Sequence, residues 1–103
     1  MYKISFFVPF FYAEKVKRAV FLTGAGRIGN YESCSWQTTG TGQFRPLSGS
    51  DPFIGSSGVL EKVEELKVEM VCDDEFIEVA IAALKKSHPY EEPAYEVIKL
   101  EEF

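Results

Sequence analysis

Apolar residues recur at every second position in several short segments of the chain, which is the pattern of half-buried β-strands. Four strands are predicted, covering residues 2–8, 31–38, 63–72 and 94–100. The third is the clearest, because Leu66, Val68 and Met70 alternate with other side chains along it. The first is rich in β-branched and aromatic residues and stops at Pro9, which cannot donate to a strand ladder.

Two other segments repeat apolar residues every three to four positions, which predicts amphipathic helices. The first covers residues 12–23 and is followed by Gly24, a residue suited to a helix C-terminus. The second begins at a cap from Asp73 or Asp74 and runs to Lys86, with acidic residues at its start and lysines at its end. Its expected buried stripe is Phe76, Val79, Ala80, Ala83 and Leu84.

The element order is therefore βαββαβ, which is the order of the ferredoxin-like fold. We expect an α+β two-layer sandwich, with an antiparallel sheet and both helices on one face. The first and last strands carry apolar side chains on both sides, as Phe6 and Phe7 illustrate, so the open face should be buried by other copies of the chain. Glu65, Lys67 and Glu69 share the outer face of the third strand and argue against a wholly apolar contact.

Length, charge and cysteine content narrow the class of protein. The 103 residues fit one domain, residues 1–103. A net charge of −5 argues against nucleic acid or an anionic membrane as partner, and no segment is long enough to span a bilayer. Cys34 and Cys72 form no metal-binding or CxxC pattern, which favours reduced thiols and a cytoplasmic location.

Candidate chemistry is concentrated in the segment His88-Pro-Tyr-Glu-Glu-Pro93, which contains the single histidine of the chain. The proline after His88 disfavours a helical conformation there, so the segment is predicted to be a rigid corner between a helix and a strand. Imidazole and carboxylate groups suit divalent metals, which makes His88 and Glu91 candidate metal ligands. We favour a structural role, with Glu91 and Glu92 paired across a subunit contact, because one histidine without a matching cluster does not make a closed metal site.

Residues 39–58 are predicted to be a long loop rich in glycine, serine and proline. Loops of this length inside a compact domain are usually functional or held by a partner. The loop also carries Phe44, Pro46 and Phe53, which makes it too apolar for a solvated linker. Residues 24–29 match the letters GxGxxG, but they follow a helix and precede a strand, so they are predicted to form a turn and not a dinucleotide site.

Three segments together resemble a known family. They are Gly24-Ala-Gly-Arg-Ile-Gly-Asn-Tyr31, Gly40-Thr-Gly-Gln-Phe44-Arg-Pro46 and His88-Pro-Tyr-Glu-Glu-Pro-Ala-Tyr95, with Cys34 after the first. They resemble the inserted middle domain of YqfO-type proteins, the bacterial branch of the Nif-three-like (NGG-one-interacting factor) family. The last segment also resembles the His-Pro-Tyr-Glu-x-Pro stretch of CutA proteins, which are related in fold to the PII signalling proteins. This kinship implies a CutA/PII-like subunit and a homotrimer whose sheets pack inward.

The resemblance also implies what activity to expect. In full-length family members the flanking halves hold a dinuclear metal centre, so the chain looks like a stand-alone version of the insert. We therefore expect a small cytoplasmic, homo-oligomeric domain with a binding or regulatory role, no catalytic residue and no cofactor. The alternative is a sensor for a divalent metal or a small ligand, with its site at the subunit boundary. Residues expected to line the subunit contact or cleft are Tyr31, Cys34, Phe44, His88, Tyr90, Glu91 and Glu92.

Overall fold

The computed structural model describes Met1–Phe103 and contains one four-stranded sheet with two helices. The strands are β1 (Tyr2–Pro9), β2 (Trp36–Phe44), β3 (Glu61–Cys72) and β4 (Tyr95–Lys99). The helices are α1 (Ala13–Phe21) and α2 (Ile77–Ser87), each preceded by one turn of 3₁₀-helix. All neighbouring strands are antiparallel, in the spatial order β2-β3-β1-β4. The predicted ferredoxin-like α+β fold is confirmed.

The core lies between the helices and one face of the sheet. Alternate residues of the two central strands supply it with Ile4, Phe6, Val8, Leu66, Val68, Met70 and Cys72. The helices contribute Ala13, Val16, Val20, Ala80 and Leu84. The period-two pattern in β1 and β3 therefore predicted the buried face correctly, because a strand with one covered face must place its apolar residues at alternate positions.

The predicted second strand was wrong in position. Residues 31–38 were expected to be extended, but β2 begins at Trp36 and continues to Phe44, through the glycine-rich stretch expected to be a loop. Along that stretch β2 pairs residue by residue with β3, from Trp36 opposite Glu69 to Phe44 opposite Glu61. The long hairpin places a residue of β3 opposite each position, and the resulting antiparallel ladder outweighs the poor strand propensity of glycine. The connection to β3 is correspondingly shorter than predicted.

The helix boundaries and faces also differ in detail. The α1 helix begins at Ala13 and its C-terminal turn ends at Gly24, which has a φ of +110° and so occupies the conformation expected of a glycine there. Neither Asp73 nor Asp74 accepts a capping hydrogen bond from the backbone N–H groups at the start of α2. In the predicted stripe, Val79 is 52% exposed because it lies on the solvent side of α2.

The second face of the sheet has no helix on it, and its surface is mixed. Register places Trp36, Glu69, Lys3 and Ile98 on this uncovered face, with Trp36 70% and Ile98 53% exposed. An ion pair of 2.6 Å joins Lys3 Nζ to Glu69 Oε1 at its centre, and the Lys67 ammonium lies 5.9 Å from the Phe7 ring. The uncovered face is therefore apolar at its margins and charged in the middle.

Neither helix has the length and apolar character needed to cross a lipid bilayer.

Candidate ligand pocket at the hairpin end of the sheet

The corner after α2 is held in place by His88. Its Nε2 lies 2.7 Å from the backbone oxygen of Phe7, and its Nδ1 accepts a hydrogen bond of 3.1 Å from the backbone N–H of Tyr90. A carbonyl can only accept and an N–H can only donate, so the ring carries its proton on Nε2 and is neutral. His88 itself is extended, as predicted for a residue before proline, and is buried. The imidazole thus fixes the corner against β1.

The surroundings of His88 favour this neutral form. Burial lowers the pKa of the imidazole below its usual 6.5, and the hydrogen bond to the Phe7 carbonyl opposes that shift only in part. Protonation would also place a proton on Nδ1 opposite the Tyr90 N–H and break that hydrogen bond. Both ring nitrogens are consequently engaged in structural contacts.

Tyr90 is the centre of an aromatic cluster at this corner. Its ring centroid lies 5.1 Å from that of His88, 5.9 Å from that of Phe44 and 6.5 Å from that of Phe53, with tilted geometries. Phe53 in turn meets Tyr12 edge to face at 5.3 Å. Tilted and edge-to-face pairs at these distances are favourable. The cluster joins the end of β2, the following loop and the corner into one wall.

The Tyr90 hydroxyl is buried and has no hydrogen-bond partner at regular geometry. Burial, together with the nearby Glu65 carboxylate, raises the pKa of the phenol. The Glu65 carboxylate disfavours loss of the phenol proton through its negative charge and as a possible acceptor of the O–H. The two groups are nevertheless not aligned as a standard hydrogen bond. A polar atom buried in this state is rare in proteins.

Glu65 enters the pocket because β2 leaves room for it. It lies on β3 and is only 9% exposed, in spite of its place on the uncovered face of the sheet. Its side chain runs diagonally across Gly42 of β2, where a Cβ atom would overlap the carboxylate. Gly42 therefore permits the buried position of Glu65 by lacking a side chain.

The loop between β2 and β3 folds over these residues. A hydrogen bond of 2.8 Å from Gly58 N–H to the Pro46 oxygen closes its base. A second, of 3.0 Å, runs from the Asp51 N–H to Glu91 Oε2 and ties the loop to the corner. The loop and the corner border a partly open pocket of about 520 Å³, within the range typical of small-molecule sites. Its lining includes Phe7, Gly42, Phe44, Arg45, Pro46, Pro52, Phe53, Ile54, Glu65, Tyr90, Glu91 and Glu92.

The structure brings most of the sequence-predicted site residues together. Phe44, Tyr90, Glu91 and Glu92 line the pocket, and His88 contacts Tyr90. Tyr31 and Cys34 do not line it. Tyr31 is 75% exposed in a short bridge with Ile28, and Cys34 lines a shallow depression beside Trp36.

The candidate metal ligands are not arranged as a metal site in the structure. His88 has both ring nitrogens occupied, and Glu91 accepts the Asp51 N–H. No group of three His, Cys, Asp or Glu side chains is suitably placed to hold a metal ion. The geometry therefore gives His88 a positioning role at the corner.

Sequence reasoning missed Glu65 as part of the site. It expected the loop over residues 40–58 at the subunit contact or cleft but did not single out Gly42 or Phe53 within it. Glu65 alternates with Lys67 and Glu69, so the pattern indicated one solvated face for all three. The signal that was available is the glycine-rich stretch Gly40-Thr-Gly42, which becomes informative only once its pairing with β3 is known. A carboxylate opposite a strand that lacks side chains can lie flat and become buried.

No protein-family model matches the chain. Individual proteins do match, and the chain is 47% identical over 100 residues to the GTP cyclohydrolase 1 type 2 homolog of Halalkalibacterium halodurans. The match covers 97% of this chain and 27% of that protein, so the chain spans about a quarter of the length of the relative.

Comparison with solved structures also finds a match to one segment of a longer protein. A Bacillus cereus protein related to NIF3 superposes with a TM-score of 0.83 at 40% identity, over 98% of this chain and 26% of that one. CutA from Pyrococcus horikoshii superposes with a TM-score of 0.71 over all of this chain and 87% of its own, at 17% identity, which shows a shared fold. The resemblance noted in the sequence is confirmed: the chain is homologous to one segment of the NIF3-related proteins named GTP cyclohydrolase 1 type 2 homolog, and it has the CutA/PII-like fold.

Proposed function

We propose that the chain is a cytoplasmic, homotrimeric binding or regulatory domain without catalysis of its own. The observation that carries the proposal is the pocket at the hairpin end of the sheet, which has preformed aromatic and polar walls. It lies at one end of the uncovered face, since Phe7, Glu65 and Gly42 belong to that face by register. Assembly through this face would therefore place the pocket at a subunit boundary.

The uncovered face supports assembly. Trp36 and Ile98 expose large apolar surface at its two margins, and exposed apolar patches often mark contact sites. The central Lys3–Glu69 pair is compatible with a contact between copies, because charged groups give an interface orientation and specificity. Three copies is the assembly that the resemblance to CutA proteins implies.

A non-catalytic role is supported by the state of His88. It is the chain's single histidine and so its natural candidate for a general base, yet both its nitrogens hold the corner together. The name GTP cyclohydrolase 1 type 2 homolog describes relatives about four times as long as this chain. We propose that binding at the pocket, and not a reaction, is what this segment contributes.

The assembly is tested by measuring mass in solution with multi-angle light scattering at micromolar concentration. We expect three times the chain mass of 11.6 kDa for the wild type. Ile98→Lys places a charge on the uncovered face and should shift the mass towards one chain. Leu22→Lys is the control, since Leu22 is also a large apolar residue and is more exposed than Ile98, 82% against 53%, but follows α1 on the opposite side of the sheet. A wild-type mass of one chain would overturn the proposed assembly.

A divalent-metal sensor is the second candidate left by the sequence, and it is tested separately. Elemental analysis of untagged protein is compared between the wild type and His88→Ala. The engaged nitrogens of His88 lead us to expect no stoichiometric metal in either sample. Stoichiometric metal in the wild type that disappears in His88→Ala would establish the sensor instead.

A further inference from the structure

Glu65 places a carboxylate without an ion-pair partner inside the pocket. It is more than nine-tenths buried, and it takes part in none of the ion pairs of the structure. The buried hydroxyl of Tyr90, its polar neighbour, also lacks a partner at regular geometry. Burying an unpaired carboxylate is costly, and such groups normally meet a cation or several donors. The single O–H of Tyr90 can donate to at most one oxygen of Glu65, so the other carboxylate oxygen and the lone pairs of the phenol oxygen face the same space without a donor.

We propose that this pocket binds a small organic cation carrying N–H donors, a primary ammonium or guanidinium compound, with Glu65 and Tyr90 as its acceptors. The inference deepens the proposed binding role by naming the chemical class of the ligand. A charge-assisted hydrogen bond from the ligand to Glu65 would supply the missing partner of the carboxylate. A second N–H would satisfy the oxygen of Tyr90.

The walls of the pocket favour a positive charge. Three carboxylates line it, from Glu65, Glu91 and Glu92, against the single guanidinium of Arg45, which is exposed and forms no ion pair. Phe44 and Phe53 add aromatic faces, which attract cations through their π electrons. An anionic ligand would meet repulsion from the same groups.

The arrangement suits an organic cation better than a bare metal ion. Calcium takes six to eight oxygen ligands, and magnesium demands near-ideal octahedral geometry. The pocket instead offers one buried carboxylate, one phenol oxygen and an apolar wall, and no group of three ligating side chains in the structure could hold a metal ion. Its size of about 520 Å³ leaves space for the carbon skeleton of a ligand beside the Phe44 and Phe53 rings.

The experiment is ligand-detected NMR on the full chain with n-butylammonium and n-butylguanidinium chloride, and with n-butanol as the uncharged probe of similar shape. We expect both cations to bind at millimolar concentration or below, and butanol to bind at least about tenfold more weakly, since it lacks the charge. Glu65→Gln should weaken cation binding by about tenfold or more for the same reason. Tyr90→Phe removes the second acceptor and should weaken it less.

Glu64→Gln is the matched control. Glu64 is the preceding residue of β3, exposed on the other face of the strand, and its substitution changes the net charge by the same amount. It should leave cation binding unchanged. If circular dichroism shows that Glu65→Gln does not fold, Phe53→Leu takes its place, because Phe53 is half exposed and its ring supplies the cation–π contact.

Three outcomes would overturn the inference: no cation binding by the folded wild type, equal binding of butanol, or equal effects of Glu65→Gln and Glu64→Gln. Light scattering on the same samples separates this inference from the proposed assembly. A trimer that binds no cation refutes the ligand class alone. A monomer that binds cations refutes the assembly alone.

Discussion

The helix-covered face of the sheet and the pocket at its hairpin end are both built from large side chains, but they treat polar groups differently. Under the helices the side chains that the sheet contributes are almost all apolar, from Phe6 and Ile4 to Val68. At the pocket a carboxylate without an ion-pair partner and a phenol hydroxyl without a regular hydrogen bond are buried beside aromatic rings. The first region has the composition of a core that exists for stability.

The buried polar groups of the pocket reduce the stability of the fold, which the apolar side chains of the core do not. A buried polar atom without a hydrogen bond lowers the free energy of unfolding by about 1–3 kcal/mol. Proteins tolerate such atoms where a ligand or partner completes them, and strained or unsatisfied groups tend to cluster at functional sites. The covered face is therefore fully packed within the single chain, whereas the pocket contains polar groups that a bound molecule could still satisfy.

The largest expected effect compares two adjacent residues of β1. Phe6 faces the helices and is fully buried, whereas Phe7 is half-buried on the uncovered face beneath Lys67. Phe6→Ala should lower the free energy of unfolding by about 3–5 kcal/mol, through lost burial and a cavity. Phe7→Ala should lower it by roughly 1–2 kcal/mol, since its surroundings are open. Urea unfolding of both variants measures these changes in the free energy of unfolding. Equal decreases for the two variants would show that Phe7 is packed as tightly as Phe6.

This contrast also explains what the sequence made predictable. The alternation of Leu66, Val68 and Met70 identified the covered face, because a local period of two fixes which side chains point to the core. The motif at His88 identified the corner, because proline restricts the residue before it. The position of β2 was not predictable from its own residues, since the glycines Gly40 and Gly42 form a strand only through pairing with β3.

The role of Glu65 was not predictable for the same reason. Its burial depends on the missing side chain of Gly42, which is distant in sequence, and on the loop that folds back to the corner through Asp51 and Glu91. Contacts of this kind are tertiary and leave no local period. The chemistry of the site therefore appears only after the hairpin and the corner are placed together.

The next effect concerns Tyr90 and separates its ring from its hydroxyl. Tyr90→Ala removes the centre of the aromatic cluster and should cost about 3 kcal/mol in unfolding free energy. Tyr90→Phe should stay within about 1 kcal/mol of the wild type, or exceed it, because the removed hydroxyl has no partner. Thermal and urea unfolding of both variants provides the measurement. A large loss in Tyr90→Phe would mean that the hydroxyl is already satisfied within the chain.

A smaller effect comes from the glycines of β2. Gly42→Ala places a methyl group against the Glu65 carboxylate and should cost roughly 1–2 kcal/mol, since the buried side chain must move. Gly40→Ala is the control, because a methyl group there meets open space, and it should change stability by about 0.5 kcal/mol or less. Repeating Gly42→Ala in a Glu65→Ala background should abolish most of its cost. An unchanged cost in that background would show that Glu65 is not what Gly42 accommodates.

The smallest effect is the pH dependence that His88 gives to the corner. Because burial lowers its pKa in the folded state, the unfolded chain binds more protons below pH 6.5, and stability should fall as the pH decreases from there. Above pH 6.5 its contribution is complete, and the decline should level off once the folded-state imidazole is also protonated. Ion pairs lower the pKa values of Glu69 and Asp74, so these carboxylates change the stability only at lower pH. Burial raises the pKa of Cys72, so this thiol changes the stability only at higher pH. The free energy of unfolding of the wild type should decrease as the pH is lowered from 6.5 to 5, whereas that of His88→Ala should change little over the same range. An identical decrease in both proteins would assign the titration to another group.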